Sequence, residues 1–202
     1  MEQSKFLKLK QLSEGDYQAF LYDCDGTLAD NMPAHIATYI ATANEYGLSI
    51  DPVMISEFAG WPIADVVTEM NIRYQTNIDP IAFRARKAAL YAAEYMENIL
   101  PIDFVLQHLK ASAGKVHIAV VSGGDREAIE KTLEVLGIAG LVEVLICAGD
   151  TLKGKPFPDP FLKAAALLNV EPSKCLVFED GMPGVTAAKS AGMAWLRIDQ
   201  IV

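Results

Sequence analysis

Short, wholly apolar runs alternate with segments of helical periodicity along most of the chain. The apolar runs are rich in Val, Ile, Leu and Phe, which is typical of strands buried on both faces of a parallel sheet. Five strands are predicted: Gln18–Tyr22, Val116–Val121, Val142–Cys147, Cys175–Phe178 and Ala194–Ile198. Helices are predicted in the later part of the chain at Ile102–Ala111, Arg126–Leu136, Pro160–Leu168 and Val185–Ser190. This alternation predicts an α/β fold with a doubly wound parallel sheet.

The alternation is interrupted after the first predicted strand. More than ninety residues separate it from the second, and this interval contains helical patterns without a convincing strand. Prolines begin three of the four helices, in the first turn, where the missing N–H would have no helical partner anyway. The predicted helices are Pro33–Tyr46, Pro52–Phe58, Ile63–Tyr74 and Pro80–Met96. We therefore expect a helical domain at residues 31–97, inserted into a sheet domain formed by residues 1–30 and 98–202.

Composition and charge narrow the range of partners. Apolar residues make up 51% of the 202 residues, which is typical of a globular chain. Lys and Arg number 17 against 26 Asp and Glu, and the net charge of −9 disfavours binding to nucleic acid or to an anionic membrane. The expected partner is a small molecule, whose charge a local cluster could still match. A monomer is expected, with a weak dimer as the alternative.

The cysteines and the N-terminus indicate a cytoplasmic protein. No apolar run reaches the roughly 18 residues of a membrane span, and the N-terminus lacks the pattern of a secretory signal. Cys24, Cys147 and Cys175 are an odd number and lie in or beside apolar stretches. Buried, reduced thiols are the simplest interpretation of these three residues.

Chemically active side chains follow four of the predicted strands. Ligands of an open parallel sheet bind beyond the carboxyl ends of its strands, so these residues should converge on one edge. They comprise four carboxylates, a Ser-Gly-Gly turn and a lysine: Asp23, Asp25, Glu179, Asp180, Ser122, Gly123, Gly124 and Lys155. Such a concentration of like charge opposes stability, so it indicates a functional site.

These residue types together favour phosphoryl transfer. Clustered carboxylate oxygens suit a hard divalent cation, with Mg²⁺ as the first candidate. The Ser122–Gly124 turn leads into a helix whose N-terminal N–H groups can hold a phosphate, and Lys155 can meet a phosphoryl oxygen as a point charge. An aspartate beside Mg²⁺ can act as a nucleophile and form an acyl-phosphate, while a second aspartate two residues later can exchange protons.

Four segments resemble, in order, the motifs of the haloacid dehalogenase-like phosphotransferases. Residues 23–30, Asp-Cys-Asp-Gly-Thr-Leu-Ala-Asp, are similar to the first motif, D-x-D-G-T-L-x-D. Val120–Gly124, Lys155–Pro160 and Glu179–Met193 resemble the second, third and fourth motifs. The resemblance extends from Ala19 to Ile198 and implies a Rossmann-like core with the family's α-helical cap. The motifs are most similar to the subgroup that contains β-phosphoglucomutase and fructose-1-phosphate phosphatases.

The resemblance implies roles for the four carboxylates. Asp23 would be the nucleophile and a Mg²⁺ ligand. Asp25 would be the general acid and base, with its backbone carbonyl on the metal. Glu179 and Asp180 would complete the metal site, directly or through water.

The resemblance also implies a binding site for the phosphoryl group. Ser122, the Gly123 N–H group and Lys155 would hold it, with Gly124 in the same turn. His35, one turn into the first cap helix, matches a histidine common in this subgroup near the acid/base residue. A histidine satisfied by structural hydrogen bonds is the alternative interpretation of His35.

One cap segment departs from the mutase pattern. The mutase grips the non-transferred phosphate with an arginine in a Gly-x-Ser-Arg segment, whereas the matching stretch here, Gly60–Ile63, has no cation. Trp61 is expected to form a wall of the substrate site, with packing between cap helices as the alternative. The missing cation favours a phosphatase, although four other cap residues could supply a grip: Arg73, Arg84, Arg86 and Lys87.

We therefore predict a Mg²⁺-dependent phosphatase that hydrolyses a small phosphate monoester, expected to be a sugar phosphate, through an aspartyl-phosphate. A β-phosphoglucomutase-type mutase is the alternative enzyme. A receiver-type signalling module and a catalytically silent sugar-phosphate-binding protein are alternatives from other classes. Gly149–Lys155 also fits the spacing of a nucleotide-binding P-loop, but Pro156 replaces the hydroxyl residue that such a loop needs for Mg²⁺.

Overall fold

The computed structural model describes residues 2–58 and 61–202, whose strands form one parallel sheet. The strands are β1 (Ala19–Tyr22), β2 (His117–Val121), β3 (Val144–Ile146), β4 (Cys175–Glu179) and β5 (Ala194–Arg197). Their order across the sheet is β3-β2-β1-β4-β5, so the chain winds outward from β1 in both directions. Every pairing is parallel, which confirms the predicted doubly wound α/β fold.

The helices connect these strands and, after β1, form the predicted helical insertion. In chain order they are α1 (Glu2–Leu12), α2 (Met32–Glu45), α3 (Pro52–Glu57), α4 (Ile63–Tyr74), α5 (Pro80–Glu94), α6 (Asp103–Ser112), α7 (Arg126–Val135), α8 (Asp159–Leu168) and α9 (Met182–Ser190). Within the described ranges, none of them combines the length and apolarity that crossing a bilayer requires. The predicted helices are confirmed, although α9 starts three residues before the predicted Val185, because Pro183 fits a first helical turn.

Helix α1 has no counterpart among the predicted elements. Its apolar residues do not form the broad stripe that identifies a surface helix: Leu9 is buried, whereas Leu7 and Leu12 are exposed. The helix packs against α6, where Leu9 joins the main hydrophobic core. Tertiary packing rather than a periodic pattern therefore accounts for α1.

The helices of the insertion start where the sequence supplies caps. The Asp51 carboxylate accepts a hydrogen bond of 2.9 Å from the N–H group of Val53 and caps α3. The Asp79 carboxylate accepts one of 3.0 Å from the N–H group of Ile81 and caps α5. In both helices a proline follows the cap, so the first turn combines a side-chain acceptor with a preset backbone angle.

The insertion and the sheet have separate hydrophobic cores. Alternate residues of the central strand face opposite sides of the sheet, so that Tyr22 joins one core cluster and Leu21 another. A third cluster lies within the insertion and includes Met70 and Phe83. A separate core is what an independent helical domain would need, but the boundary at residues 31–97 stays a prediction.

Two adjacent chain crossings join the insertion to the sheet. The N–H group of Asp30 donates a hydrogen bond of 2.8 Å to the carbonyl oxygen of Leu100. Ala29 also pairs with Pro101, and the N–H group of Ile102 lies 2.9 Å from the Leu28 carbonyl oxygen. The insertion therefore leaves and rejoins the sheet at one point, beside the carboxyl end of β1.

A buried histidine joins α1, α6 and the sheet. The His108 ring lies 2.8 Å from the Ser13 hydroxyl through Nε2 and 2.8 Å from the Tyr22 hydroxyl through Nδ1. It also stacks on Phe20, with 5.4 Å between ring centroids. Burial lowers the pKa of His108 from 6.5 to about 4, because the interior disfavours the charged ring.

This low pKa predicts a defined loss of stability in acid. Below pH 6.5 the unfolded chain takes up a proton at His108, whereas the folded chain does not until about pH 4. The free energy of unfolding therefore decreases as the pH is lowered from 6.5 towards 4, by about 3 kcal/mol at most, and His108 causes no such loss above pH 6.5. Urea denaturation at pH 4–7 should show a flatter pH dependence in His108→Gln. The exposed His117→Gln is the control, and equal slopes in wild type and His108→Gln would contradict the assignment.

Candidate functional site

Neighbouring strands end at the same height at the carboxyl edge of the sheet, so the residues that follow them lie side by side. The N–H group of Asp23, directly after β1, donates a hydrogen bond of 2.9 Å to the Phe178 carbonyl oxygen on β4. The N–H group of Ser122, directly after β2, donates one of 2.9 Å to the Ile146 carbonyl oxygen on β3. These bonds continue the sheet pairing by one residue and place both side chains at the same edge.

Lys155 lies at the centre of the site. Its Nζ atom is 2.6 Å from Asp23 Oδ1 and 2.5 Å from Glu179 Oε1, and it donates a hydrogen bond of 2.8 Å to the Val121 carbonyl oxygen. Lys155, Asp23 and Glu179 are each less than 5% exposed. Burial alone would lower the pKa of Lys155, but the charges of Asp23 and Glu179 outweigh it and hold this pKa above its ordinary value.

Three carboxylates form a cluster that could hold a metal ion. Asp23, Glu179 and Asp180 each offer an oxygen atom, and these atoms lie within 4.8 Å of one another. Burial raises the pKa of all three groups above the ordinary value, because Lys155 balances only part of their charge. The donors are all oxygens and carry excess negative charge, so the cluster fits a hard divalent cation.

Two glycines leave room for these carboxylates. A side chain at Gly26, whose φ is +84°, would collide with the Asp180 carboxylate. A side chain at Gly184 would collide with the Glu179 carboxylate. The Thr27 hydroxyl donates a hydrogen bond of 3.3 Å to Asp180 Oδ1 and orients that carboxylate. The glycines of the first and fourth motifs therefore have a steric function in this site.

The Asp25 carboxylate faces the insertion and not the carboxylate cluster. Asp25 Oδ1 accepts a hydrogen bond of 2.6 Å from Asn31 Nδ2 and lies 3.3 Å from His35 Nε2. Asn31 Nδ2 also donates to the Tyr91 hydroxyl at 2.9 Å. Burial alone would raise the pKa of Asp25, but its polar neighbours, above all His35, hold this pKa below its ordinary value. Asp25 is therefore ionised in the free protein.

A buried lysine of the insertion supports His35. Lys87 Nζ lies 3.1 Å from His35 Nδ1, and the His35 ring stacks on Tyr91 with 4.3 Å between centroids. An ammonium group can only donate, so Nδ1 accepts and Nε2 carries the proton that points at Asp25. Burial between Tyr39 and Tyr91 lowers the pKa of Lys87 to about 8.

A cavity of about 870 Å³ lies between the insertion and the sheet edge. Its volume is in the range of small-molecule sites. Seven of the predicted site residues line it: Asp23, Asp25, His35, Trp61, Ser122, Gly123 and Gly124. The other three lie against Asp23 beneath the cavity floor: Lys155, Glu179 and Asp180. The structure thus brings all the predicted residues together around one cavity.

The Ser122–Gly124 turn and Trp61 have defined local contacts. The Ser122 hydroxyl accepts a hydrogen bond of 3.0 Å from the N–H group of Gly124, which fixes the turn. Trp61 lines the cavity and also contacts Phe58 edge-on at 4.8 Å between centroids, so it serves both as a wall and in packing. Gly60, part of the segment that departs from the mutase pattern, lies outside the described residues.

The four cap cations considered as a substrate grip divide into two pairs. Arg73 forms ion pairs with Glu57 and Glu69, and Arg86 forms one with Glu45, all within the insertion. Arg84 and Lys87 line the cavity.

Sequence reasoning missed two contributors to the site, Asn31 and Tyr91, and considered Lys87 only as a possible grip on the substrate. Asn31 is the N-cap residue of α2, one turn before His35, and this spacing could have indicated that both side chains face Asp25. Tyr91 and Lys87 come from α5, more than fifty residues along the chain, and no local signal links them to Asp25.

A family model and several known proteins are similar to this chain. A family model described as haloacid dehalogenase-like hydrolase matches residues 20–198. Fructose-1-phosphate phosphatase from Escherichia coli (strain K12) is 31% identical over 180 residues, which are 88% of this chain and 94% of that protein. Validoxylamine A 7′-phosphate phosphatase from Streptomyces hygroscopicus subsp. limoneus is 31% identical over 179 residues, covering 88% of this chain and 83% of that protein. The crystal structure of β-phosphoglucomutase from Clostridium difficile has a TM-score of 0.74 and 25% identity, covering 89% of this chain and 83% of that chain.

The carboxylate cluster predicts stabilisation by a divalent cation. A cation that binds only the folded state raises the free energy of unfolding, by about 2.7 kcal/mol at one hundred times its Kd. Titration with MgCl₂ should therefore raise the melting temperature, and Asp180→Asn should need a higher Mg²⁺ concentration for the same rise. The exposed Asp65→Asn serves as the charge-matched control. Equal titration midpoints for wild type and Asp180→Asn would contradict a role for Asp180 in the site.

Proposed function

This chain belongs to the haloacid dehalogenase-like hydrolases, and on that premise we propose that it is a Mg²⁺-dependent phosphatase for small sugar phosphates. It is a phosphoric monoester hydrolase, as are its named phosphatase relatives. The proposed reaction proceeds through an aspartyl-phosphate on Asp23. The observation that carries this proposal is the buried Asp23–Lys155 contact at the floor of the cavity.

The first step transfers the phosphoryl group to the protein. An Asp23 carboxylate oxygen forms a bond to phosphorus, and the bond between phosphorus and the ester oxygen breaks. Ser122, the Gly123 N–H group and Lys155 hold the other phosphoryl oxygens. Asp25 gives its proton to the departing oxygen, so the product leaves as an alcohol.

Asp25 must be protonated for this step, although it is ionised in the free protein. A dianionic phosphate placed beside Asp25 repels its negative charge and raises its pKa. The Nε2–H group of His35 points at the Asp25 carboxylate and holds it in place. Lys87 donates to Nδ1 of the same ring and so keeps the proton on Nε2.

The second step returns the phosphoryl group to water. Asp25, now ionised, takes a proton from a water molecule whose oxygen bonds to phosphorus. The bond between phosphorus and Asp23 breaks, which restores the Asp23 carboxylate and releases inorganic phosphate.

Asp23, Glu179 and Asp180, with the backbone carbonyl of Asp25, are the proposed residues for holding Mg²⁺. The three carboxylates supply the oxygen donors that this cation prefers, and their pKa values are raised by burial and by the charge of neighbouring carboxylates. Mg²⁺ would supply positive charge that keeps Asp23 ionised and offsets the charge of the phosphate.

The names of relatives support a sugar phosphate as the substrate. They include fructose-1-phosphate phosphatase, a phosphorylated carbohydrates phosphatase from Thermotoga maritima and hexitol phosphatase A from Escherichia coli. The mutase is not favoured, because most of the related proteins named here are phosphatases and an aromatic wall of Trp61 and Phe58 lines the cavity. A silent binding protein is not favoured, because the chain retains both Asp23 and Asp25. A receiver-type module is not favoured, because of the helical insertion after β1.

The helical insertion, residues 31–97, is proposed to act as a lid that excludes bulk water and contacts the substrate. Its close contact with the loop that carries Lys155 supports this role. A Cβ atom at Gly154 would lie 2.8 Å from Pro62 Cγ, so the two segments meet without space for a side chain.

Location and assembly stay predictions. The three cysteines are free and buried, which supports the proposed cytoplasmic, reducing environment. A monomer is proposed, with a weak dimer as the alternative.

Loss of the nucleophile should abolish the reaction. With Mg²⁺, a screen of phosphorylated sugars, phosphoglycolate and nucleotides should identify esters from which wild type releases phosphate. Asp23→Asn is expected to retain less than about a tenth of kcat on each of them, a loss above 1.4 kcal/mol, because an amide is a poor nucleophile. The melting temperature verifies folding, and Asp65→Asn is the charge-matched control. A higher residual kcat in a folded Asp23→Asn protein would contradict covalent catalysis by Asp23.

Steric disturbance of the lid contact should affect turnover without affecting the metal. Gly154→Ala is expected to lower kcat/KM about tenfold, equivalent to 1.4 kcal/mol, because the added methyl group pushes Pro62 away from the loop. Gly140→Ala is the matched control, since open space surrounds Gly140. The Mg²⁺ concentration for half-maximal activity should stay the same. Wild-type kcat/KM in Gly154→Ala would show that the contact does not matter for closure.

A further inference from the structure

An ion pair joins the insertion to the sheet domain at the cavity. Arg84, on α5, donates a hydrogen bond from Nη2 to Asp125 Oδ1. Both residues line the cavity that also contains Asp23 and Asp25. Asp125 directly follows the Ser122–Gly124 turn, so its position is fixed relative to the proposed phosphoryl site.

The Asp125 carboxylate serves this ion pair and does not cap its helix. Asp125 occupies the N-cap position of α7, where an aspartate commonly accepts hydrogen bonds from the first free N–H groups. It makes no such bond here, and its carboxylate reaches Arg84 on the opposite wall. The Arg84 side chain is 47% exposed and that of Asp125 is 22% exposed, so both remain accessible from the cavity.

The other cations of the cavity wall are also engaged. Lys87 contacts His35, Arg126 pairs with Asp150, and Lys131 pairs with Glu134. Among the wall residues that the structure describes, each Lys or Arg thus has a polar partner. A second anionic group on a substrate would have to displace a carboxylate from Arg84, Arg126 or Lys131, or compete with the His35 ring for the buried Lys87. A hydroxyl group, in contrast, can donate to Asp125 or accept from Arg84 without breaking the pair.

We propose that the Arg84–Asp125 pair makes this enzyme selective for phosphate esters whose remaining part is uncharged and rich in hydroxyl groups. Esters with a second phosphate or with a carboxylate are disfavoured, because Asp125 neutralises the arginine that would bind them. This inference rests on the proposed function and specifies its substrate class. Arg84 and Asp125 are specificity-determining residues in this scheme and take no part in the chemical steps.

Two open-chain probes differ only in the group that distinguishes these classes. Sorbitol 6-phosphate ends in a neutral CH₂OH group, whereas 6-phosphogluconate ends in a carboxylate at the same carbon. Each is tested as a competitive inhibitor of the ester that wild type hydrolyses best in the substrate screen. The quantity compared between variants is the ratio of the two inhibition constants, 6-phosphogluconate over sorbitol 6-phosphate.

Wild type is expected to bind sorbitol 6-phosphate more tightly, with a ratio well above one. Asp125→Asn frees Arg84 for the carboxylate and should lower the ratio about fivefold, the size expected of a partly exposed charge pair. Adding Arg84→Gln to Asp125→Asn removes the freed cation and should abolish that gain. Arg86→Gln is the control, since Arg86 lies on the same helix but pairs with Glu45 outside the cavity wall.

The outcomes separate this inference from the function on which it rests. An unchanged ratio in an Asp125→Asn protein that still hydrolyses the reporter ester would overturn the inference alone. A ratio that falls equally in Arg86→Gln would also overturn it, because the effect would then be one of net charge. If wild type hydrolysed no ester in the screen, the proposed phosphatase function would fail first, and this selectivity with it.

Discussion

A lysine ammonium group stays charged inside a protein only when anionic groups replace the water that it loses. Lys155 meets this condition through Asp23, Glu179 and the Val121 carbonyl oxygen, all within 2.8 Å of its Nζ atom. These partners come from the ends of three neighbouring strands, β1, β2 and β4. The stability of the sheet edge and the placement of the proposed nucleophile therefore depend on the same contacts, and a variant that removes Lys155 leaves two buried carboxylates without their balancing charge.

Two aspartates only two residues apart have opposite electrostatic surroundings. Asp23 faces the carboxylate cluster, where burial raises its pKa, and Asp25 faces the insertion, where hydrogen bonds and positive charge hold its pKa low. Directly after Asp25 the chain turns tightly at Gly26, whose left-handed φ favours glycine and whose N–H group donates a hydrogen bond of 2.8 Å to the Ala29 carbonyl oxygen. In the proposed mechanism, Asp23 serves the metal and the phosphorus atom, and Asp25 exchanges protons.

Several predicted parts of the site have positions that follow from strand ends. Asp23, Ser122 and Glu179 lie at or next to the ends of apolar runs, and parallel pairing alone brings them together. The partners from α5, Lys87 and Tyr91, could not be found in this way, because their contacts depend on how α5 rotates against α2. The same holds for α1, whose docking through Leu9 follows from the surface of α6 and not from a periodic pattern of its own.

The paired crossings at Asp30 and Leu100 have a consequence for how such a protein can diversify. A segment whose two ends are held together by two short backbone hydrogen bonds adds little constraint to the fold that hosts it. Its length, helix number and surface can change through insertion, deletion or recombination while the strand register and the Lys155 contacts stay intact. The two crossings are therefore natural junctions for laboratory grafting, provided that a foreign insertion brings its own partners for Asp25, as Asn31 and His35 do here.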